Sequence, residues 1–572
     1  MRVKPWWVPV VGAVAIMAWV GSLYSQTARP PVRYLAQGWT QDDRGRFYTT
    51  SQGSQLVPYA WYLALEQPGA VTARFNENSL VRYGYLENQD SKLNPDRLAL
   101  GFVKDGDTDW LGLTCAACHT NEVDFGGNSW RIDGAPALAD TWAFLNDLGE
   151  SLKQTAASPD GEKFRRFAAN LRPPATTAAQ RTDLHTRLKT FSDGFTKFVD
   201  SSRTEVPWGH ARIDAFGMIF NRATGINLDR WENTRPPDAP VSMPFLWDTH
   251  WHDFVQWNAS APNAIALQRL GRNVGEVLGV FAHVTPDTRG LLRVESSARP
   301  RQLLDIENRL SRLRSPDWPF GGIDQAAAQR GGAIYKQYCA SCHAEVPADQ
   351  RGRPHGITKT PIKVVGTDPL MATNARDRVA VAGPMEGRRV TLTGKPLDAN
   401  PKSVELTVAM AMGVILEPKN WHSRSVNSDV DLFSAMRSDD AATPASGLRL
   451  TGVADLLRRA QELSEQHKKG TEELVYKARP LNGIWATAPY LHNGSVPTLW
   501  QMVQPGARRP QFFVGSREFD PKEVGFRYDA GGTPFDTTRR GNLNTGHDSY
   551  LPKGAEMSDA DRWALVEYMK TL

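Results

Sequence analysis

A chain of 572 residues, 41% of them hydrophobic, carries enough apolar surface for a large core and for two domains rather than one. Its formal charge of +5 comes from scattered basic residues, and no nucleic-acid recognition motif accompanies them, so a DNA- or RNA-binding role has little electrostatic support. Eighteen tryptophans suit cores and apolar channels, with ordinary packing accounting for most of them.

At the N-terminus, Arg2 and Lys4 precede an apolar stretch from Trp6 to Leu23. It reads as an export signal, its 18 residues also suffice for an uncleaved anchor, and no convincing A-x-A site follows. Residues 1–28 are therefore a signal peptide or membrane anchor, and the mature protein is expected to be periplasmic or secreted. A helix is predicted to begin at Tyr59 after Pro58, and the Asp- and Gly-rich approach from Gly106 ends in a loop or short turn around Cys115. Residues 135 to 230 read as mainly helical, with helices over Ala135–Leu148 and around Phe191–Phe198. From Trp231 to Trp257, Pro236, Pro237, Pro240 and Pro244 alternate with tryptophans, which predicts an ordered loop with aromatic anchors. Helical patterns resume over Ile265–Leu278 and Pro300–Leu313. The Pro- and Gly-rich break from Ser315 to Gly322 divides residues 29–318 from 319–572. Beyond it, a helix over Ile323–Tyr338 runs into Cys339, and Asp559–Leu572 reads as a terminal helix suited to pack against it.

All four cysteines fall in two C-x-x-C-H motifs, Cys115-Ala116-Ala117-Cys118-His119 and Cys339-Ala340-Ser341-Cys342-His343. Two cysteines at this spacing add to the two vinyl groups of one haem while the adjacent histidine reaches the iron. Zinc binding or a small disulfide is the alternative, but each motif lacks a fourth nearby zinc ligand and a two-residue gap bridges poorly. The expected cofactors are two covalently bound haem c groups. Loss of Arg2 and Lys4 with a leader, and the addition of four ionised propionates, would bring the net charge to about -1.

The second axial positions decide the activity, because a bis-histidine haem suits electron transfer and an open one binds oxygen or peroxide. The candidates are His492, His547, Met410, Met412, Met502 and Met557, and His547, in a Gly- and Asn-rich loop, is preferred; a plain surface histidine is its alternative reading.

The run Arg479-Pro480-Leu481-Asn482-Gly483-Ile484-Trp485, continuing through Tyr490-Leu491-His492-Asn493-Gly494-Ser495 to Leu499, resembles the signature of bacterial dihaem cytochrome c peroxidase relatives. Val514 to Pro521, followed by Val524-Gly525-Phe526, is similar to the branch holding the rubber oxygenases and the oleate 10S-dioxygenases. The resemblance implies a mainly α fold: two cytochrome-c-like haem domains with long loop insertions and sparse β. It also implies a division of labour, in which the haem on His119 takes dioxygen while His343 and His547 ligate a supporting haem. An aromatic residue beside the active haem is implied as well. Phe245, Trp247, Trp251, Phe254 and Trp257 are the candidates, Trp247 foremost, and loop packing is the alternative for all five. His492 reads as a structural member of its turn.

The leading function is a dioxygenase acting on an unsaturated apolar chain, a fatty acid such as oleate first and polyisoprene as an alternative. A peroxidase fed by a periplasmic electron donor is the second reading, for which Glu122 or Glu205 would have to serve as the acid–base group. A pure electron carrier is the third. Dioxygen, an apolar alkene and, through the N-terminal segment, a membrane are the expected partners.

Overall fold

The computed structural model describes residues 30–90, 92–286, 293–389, 395–421, 473–552 and 556–572. The signal or anchor segment expected over 1–28 lies outside the described residues. Among those described, no helix is long and apolar enough to cross a membrane. With 39% helix and 14% strand, helices set the architecture, and strands in sheets of two or three pin the loops between them.

Helices form in the segments whose apolar spacing predicts them, and others, Gln41–Thr49, Leu370–Asp377 and Ser403–Leu416, form where none is predicted. Thr141–Thr155 starts six residues later than its pattern suggests because the Asp140 carboxylate accepts from the Ala143 amide and fixes the N-terminus there. The residues just before it are held out of the helix, with the Ala137 amide donating to the Cys118 carbonyl at 3.0 Å. Ala178–Ser201 opens on a Thr177–Gln180 capping box and contains the expected Phe191–Phe198 stretch. Ala266–Gly279 and Pro300–Leu310 follow. Between Trp231 and Trp257 there are only short strands and single turns, and the indoles anchor them: Trp251 and Trp257 donate to the carbonyls of Ser311 and Ser242 at 3.1 and 2.8 Å.

The helix Gln325–Tyr338 is capped by Asp324, and the terminal helix Asp559–Met569 by Ser558. These two pack against each other more extensively than any other pair of elements. Gly331 permits the close crossing, since a Cβ there would stand 1.9 Å from the Ala564 carbonyl oxygen. Gly331→Ala is therefore expected to push the helices apart and cost about 1–3 kcal/mol. A lower denaturation midpoint checks this, and an unchanged midpoint contradicts it.

The first core crosses residue 318, joining Trp39, Ala116, Leu246 and Trp247 to Tyr335, Trp485 and Leu565. A second core lies among the helices of 141–201 and the segments leading to Cys115. A third joins Ala266–Gly279 to the helix Ser403–Leu416.

Candidate functional site

The first motif is delivered by a strand, Trp110–Leu113, paired on both sides by Val57–Pro58 and Phe102–Lys104. Thr114 then starts a tight turn, its hydroxyl accepting from the Ala116 amide at 3.3 Å. The amides of Cys118 and His119 both donate to the Cys115 carbonyl, at 3.2 and 2.9 Å. Gly101, with φ +83°, lies beneath the turn, where a Cβ would sit 2.2 Å from the Ala117 nitrogen. Burial raises the Cys115 thiol to about 11 and Cys118 to about 12, and lowers His119 to about 4 with Arg272 adding to the shift. His119 is therefore neutral at pH 7, the form in which imidazole binds a metal.

All three side chains are half-buried. The helix Ala266–Gly279 brings charged side chains within electrostatic reach of them. A Cβ on Gly275 would meet nothing within 4 Å, although the residue is only half exposed. On the same helix, Arg272 and Glu276 act electrostatically on Cys115, and Glu276 also acts on Cys118. Gln256 donates to Glu276, whose carboxyl is raised by burial. Arg272 and Asn273 donate to Glu307, which also contacts His250 Nδ1 at 2.8 Å. Burial alone would raise Glu307; Arg272 and His250 hold it well below the usual carboxylate range.

The second motif has the same turn at the end of Gln325–Tyr338. The amides of Cys342 and His343 donate to the Cys339 carbonyl at 3.1 and 2.9 Å, and burial raises the Cys339 thiol to about 11. His343 Nδ1 lies 2.8 Å from the Arg479 carbonyl, which leaves Nε2 to face away from it. The His547 ring stands 6.1 Å from the His343 ring, centre to centre. His343 and His547 would together hold the iron of a haem bound at this motif. His547 is held there by a left-handed backbone (φ +58°) and by its amide bonding to the Val365 carbonyl at 2.6 Å. Burial, then His343 and Arg509, lower it to about 3, so it too is neutral.

These surroundings fit haem c at both motifs. The four cysteines are unpaired, and burial keeps the three imidazoles neutral. The two sites differ in one respect. Among the described residues, no histidine ring stands opposite His119 as His547 stands opposite His343.

Among the other candidates, Trp247 shares the first core with Ala116 and Cys115 of the first motif. Trp247 is fully buried in the core, donating to the Asn482 carbonyl at 2.7 Å with its ring 4.6 Å from Phe245. His492 stacks on Tyr476 at 4.1 Å and is lowered to about 3 by burial. Met410 lies in the third core, with Met412 packed against it. Met557 lies in the first, with Met502 packed against that core. Glu122 is committed to a buried ion pair with Arg131, and Glu205 is exposed beside Arg539. Neither is among the groups around the first motif. The carboxylates acting on Cys115 are Glu276 and Glu307, and the sequence signal of the former is a charged pair, Arg272 and Glu276, four residues apart on an amphipathic helix.

Arg479 links the two sites. Its guanidinium donates to the Phe245 and Trp247 carbonyls, both at 2.9 Å, and lies 3.4 Å over the Phe245 ring. The Leu246 amide donates to Gly134, and the Gly134 amide to the His119 carbonyl, both at 2.9 Å. With the His343–Arg479 contact, a short run of hydrogen bonds and covalent backbone joins the two motif histidines.

Two cysteine pairs spaced as in haem c attachment sites define the class as haem-linked. Residues 475–514, which include Arg479 and His492, match the family described as RoxA-like, cytochrome c-like, in keeping with the broad group of haem-dependent oxidoreductases. The chain is 31% identical to the uncharacterized protein y4iJ of Sinorhizobium fredii over 607 aligned positions, covering 95% of this chain and 93% of that protein. It belongs to the same family as that protein. A second S. fredii protein, the uncharacterized y4iM, is 24% identical over 381 positions, covering 61% of this chain and 71% of its own length.

Proposed function

We propose that the protein is an exported dihaem oxygenase that adds dioxygen to an unsaturated apolar chain. Residues 29–318 would carry the reacting site at Cys115, Cys118 and His119, and residues 319–572 the supporting site at Cys339, Cys342, His343 and His547. The observation that supports this reading is the asymmetry of the two motifs: the His343 ring has a second imidazole, His547, 6.1 Å away centre to centre, and among the described residues His119 has no such ring beside it. When bound, haem c supplies oxygen activation at the first site and electron storage at the second. The protein keeps His119 neutral and holds Arg272 against Glu307 so that this cation stays fixed. The RoxA-like description supports an isoprenoid polymer as substrate more directly than a fatty acid.

Oxygen consumption by the purified holoprotein, without peroxide or donor, tests this. Uptake with polyisoprene latex and release of carbonyl-ended fragments is the expected result. Uptake only with oleate, giving a hydroperoxide, moves the substrate to the fatty acids, and no uptake with either overturns the oxygenase reading.

Glu276 favours a second reading, peroxidase action, because a buried carboxyl beside the first motif is what peroxide cleavage requires. Glu276→Gln separates the two. A peroxidase would lose about 10²–10⁴-fold in peroxide turnover, whereas the oxygenase is expected to keep its oxygen uptake within about tenfold, having no acid–base step assigned to this group.

A further inference from the structure

Between the two motifs lies a cluster of basic side chains with too few carboxylates. The strand Val475–Ala478 pairs antiparallel with Thr358–Pro361, bringing Lys477 opposite Lys359. Alternation along the extended chain sends Lys477 and Arg479 to the same side. Lys477 is 7% exposed, Arg479 4% and His252 1%. Neither ring nitrogen of His252 has a hydrogen-bond partner, and Arg479 Nε and His355 Nε2 also lack one. The His252 and His355 rings meet edge to face at 4.8 Å, where their backbones form a bridge.

The anions nearby offset these charges only in part, and Asp248 keeps one buried oxygen, Oδ1, without a hydrogen-bond partner. Asp248 acts on Arg479 while accepting from Asn482 at 3.2 Å, and Asp253 acts on Lys359 while accepting from the Ile357 amide at 3.0 Å. Glu307 is shared by Arg272, Asn273 and His250. Lys477 feels burial, then Arg479 and Arg272, all of which disfavour its charge; no carboxylate acts on it. A buried cation in such a setting is destabilising unless an anion joins it.

We propose that Lys477, His252 and Arg479 form a carboxylate-binding pocket between the two haem motifs, and that its resident ligand is a haem propionate. The inference rests on the dihaem reading above. Arg479 ties the pocket to both motifs: its guanidinium donates to Phe245 and Trp247, whose neighbour Leu246 bonds through Gly134 to the His119 carbonyl, and its own carbonyl lies 2.8 Å from His343 Nδ1. The same chemistry would suit the carboxylate of a fatty-acid substrate, so the test separates the two sources.

The holoprotein and its Lys477→Gln and Lys477→Arg variants are compared in optical redox titrations of both haems and in equilibrium spectral titrations with oleate and with uncharged squalene. With a propionate in the pocket, loss of the cation favours the ferric, more positive state, so one haem potential falls in K477Q and K477R restores it; oleate affinity is unchanged. Unchanged potentials with a tenfold or greater loss of oleate affinity, squalene being unaffected, overturn the propionate assignment in favour of substrate. Unchanged potentials and unchanged affinities overturn the pocket. Should K477Q holoprotein not accumulate, His252→Leu removes the pocket's neutral donor and is read in the same way. The dihaem reading itself is checked separately by haem content of the unmutated protein, where fewer than two haem c per chain would remove the premise.

Discussion

His547→Ala is expected to convert one of the two haems, and only one, from a low-spin to a high-spin optical and magnetic signature. The His547 and His343 rings stand 6.1 Å apart, where the two would hold an iron together, and the His547 loop is fixed by its own backbone rather than by its ring: the Val365 carbonyl holds its amide, and Gly546 packs on Gly366. Removing the imidazole therefore empties a ligand position while leaving the loop in place. His547→Met separates lost ligation from lost packing, because a thioether refills the volume and ligates in a spectroscopically distinct way. If His547→Ala left both signatures unaltered, the pairing of His343 with His547 would be wrong.

Arg479→Gln is expected to destabilise the protein by about 3–5 kcal/mol and to disturb both sites at once. The guanidinium is buried and supplies donors to two carbonyls that have no access to water as a substitute. Each orphaned carbonyl costs about 1–3 kcal/mol, and the contact over Phe245 is lost as well. Removing a charge that repels Lys477 offsets part of this. Arg479→Lys keeps the charge but not the fork, so it should recover little. Denaturant midpoints measure the stability. The optical spectrum at the first haem measures the remote effect, since the Phe245–Trp247 segment is the strut between Arg479 and the backbone around His119. A variant with normal stability and an unaltered first haem would show that the strut transmits nothing.

The parts of this protein readable from sequence are those with local signals. The C-x-x-C-H pentapeptides carry their own geometry, and the structure folds both into the same turn with the first cysteine carbonyl accepting two amides. The helix before Cys339 and the terminal helix were legible from apolar spacing, and their packing follows from Gly331, which stands where a side chain would not fit. The start of Thr141–Thr155 was not legible, because apolar spacing runs back to Ala135 while a tertiary bond from Ala137 to the first motif holds that stretch irregular. Arg479 stood first in a recognisable run, yet its role depends on meeting a loop more than 230 residues earlier, as the separation of the Arg479–Phe245 bond shows. Arg272 and Glu276 look like solvent-facing charges on an amphipathic helix; only the fold turns that face inward. The Trp-rich loop is legible as aromatic anchors, and Trp251 and Trp257 hold it through their N–H groups, but spacing carries no means of deciding which indole lies nearest a cofactor.

The claim on which the account turns is that the two haems are unequal. Low-temperature electron paramagnetic resonance of the oxidised holoprotein tests it most directly. One bis-imidazole low-spin signal, together with a second signal of different character from the haem on His119, is the predicted result. Two bis-imidazole low-spin signals would contradict it and leave an electron carrier as the better description.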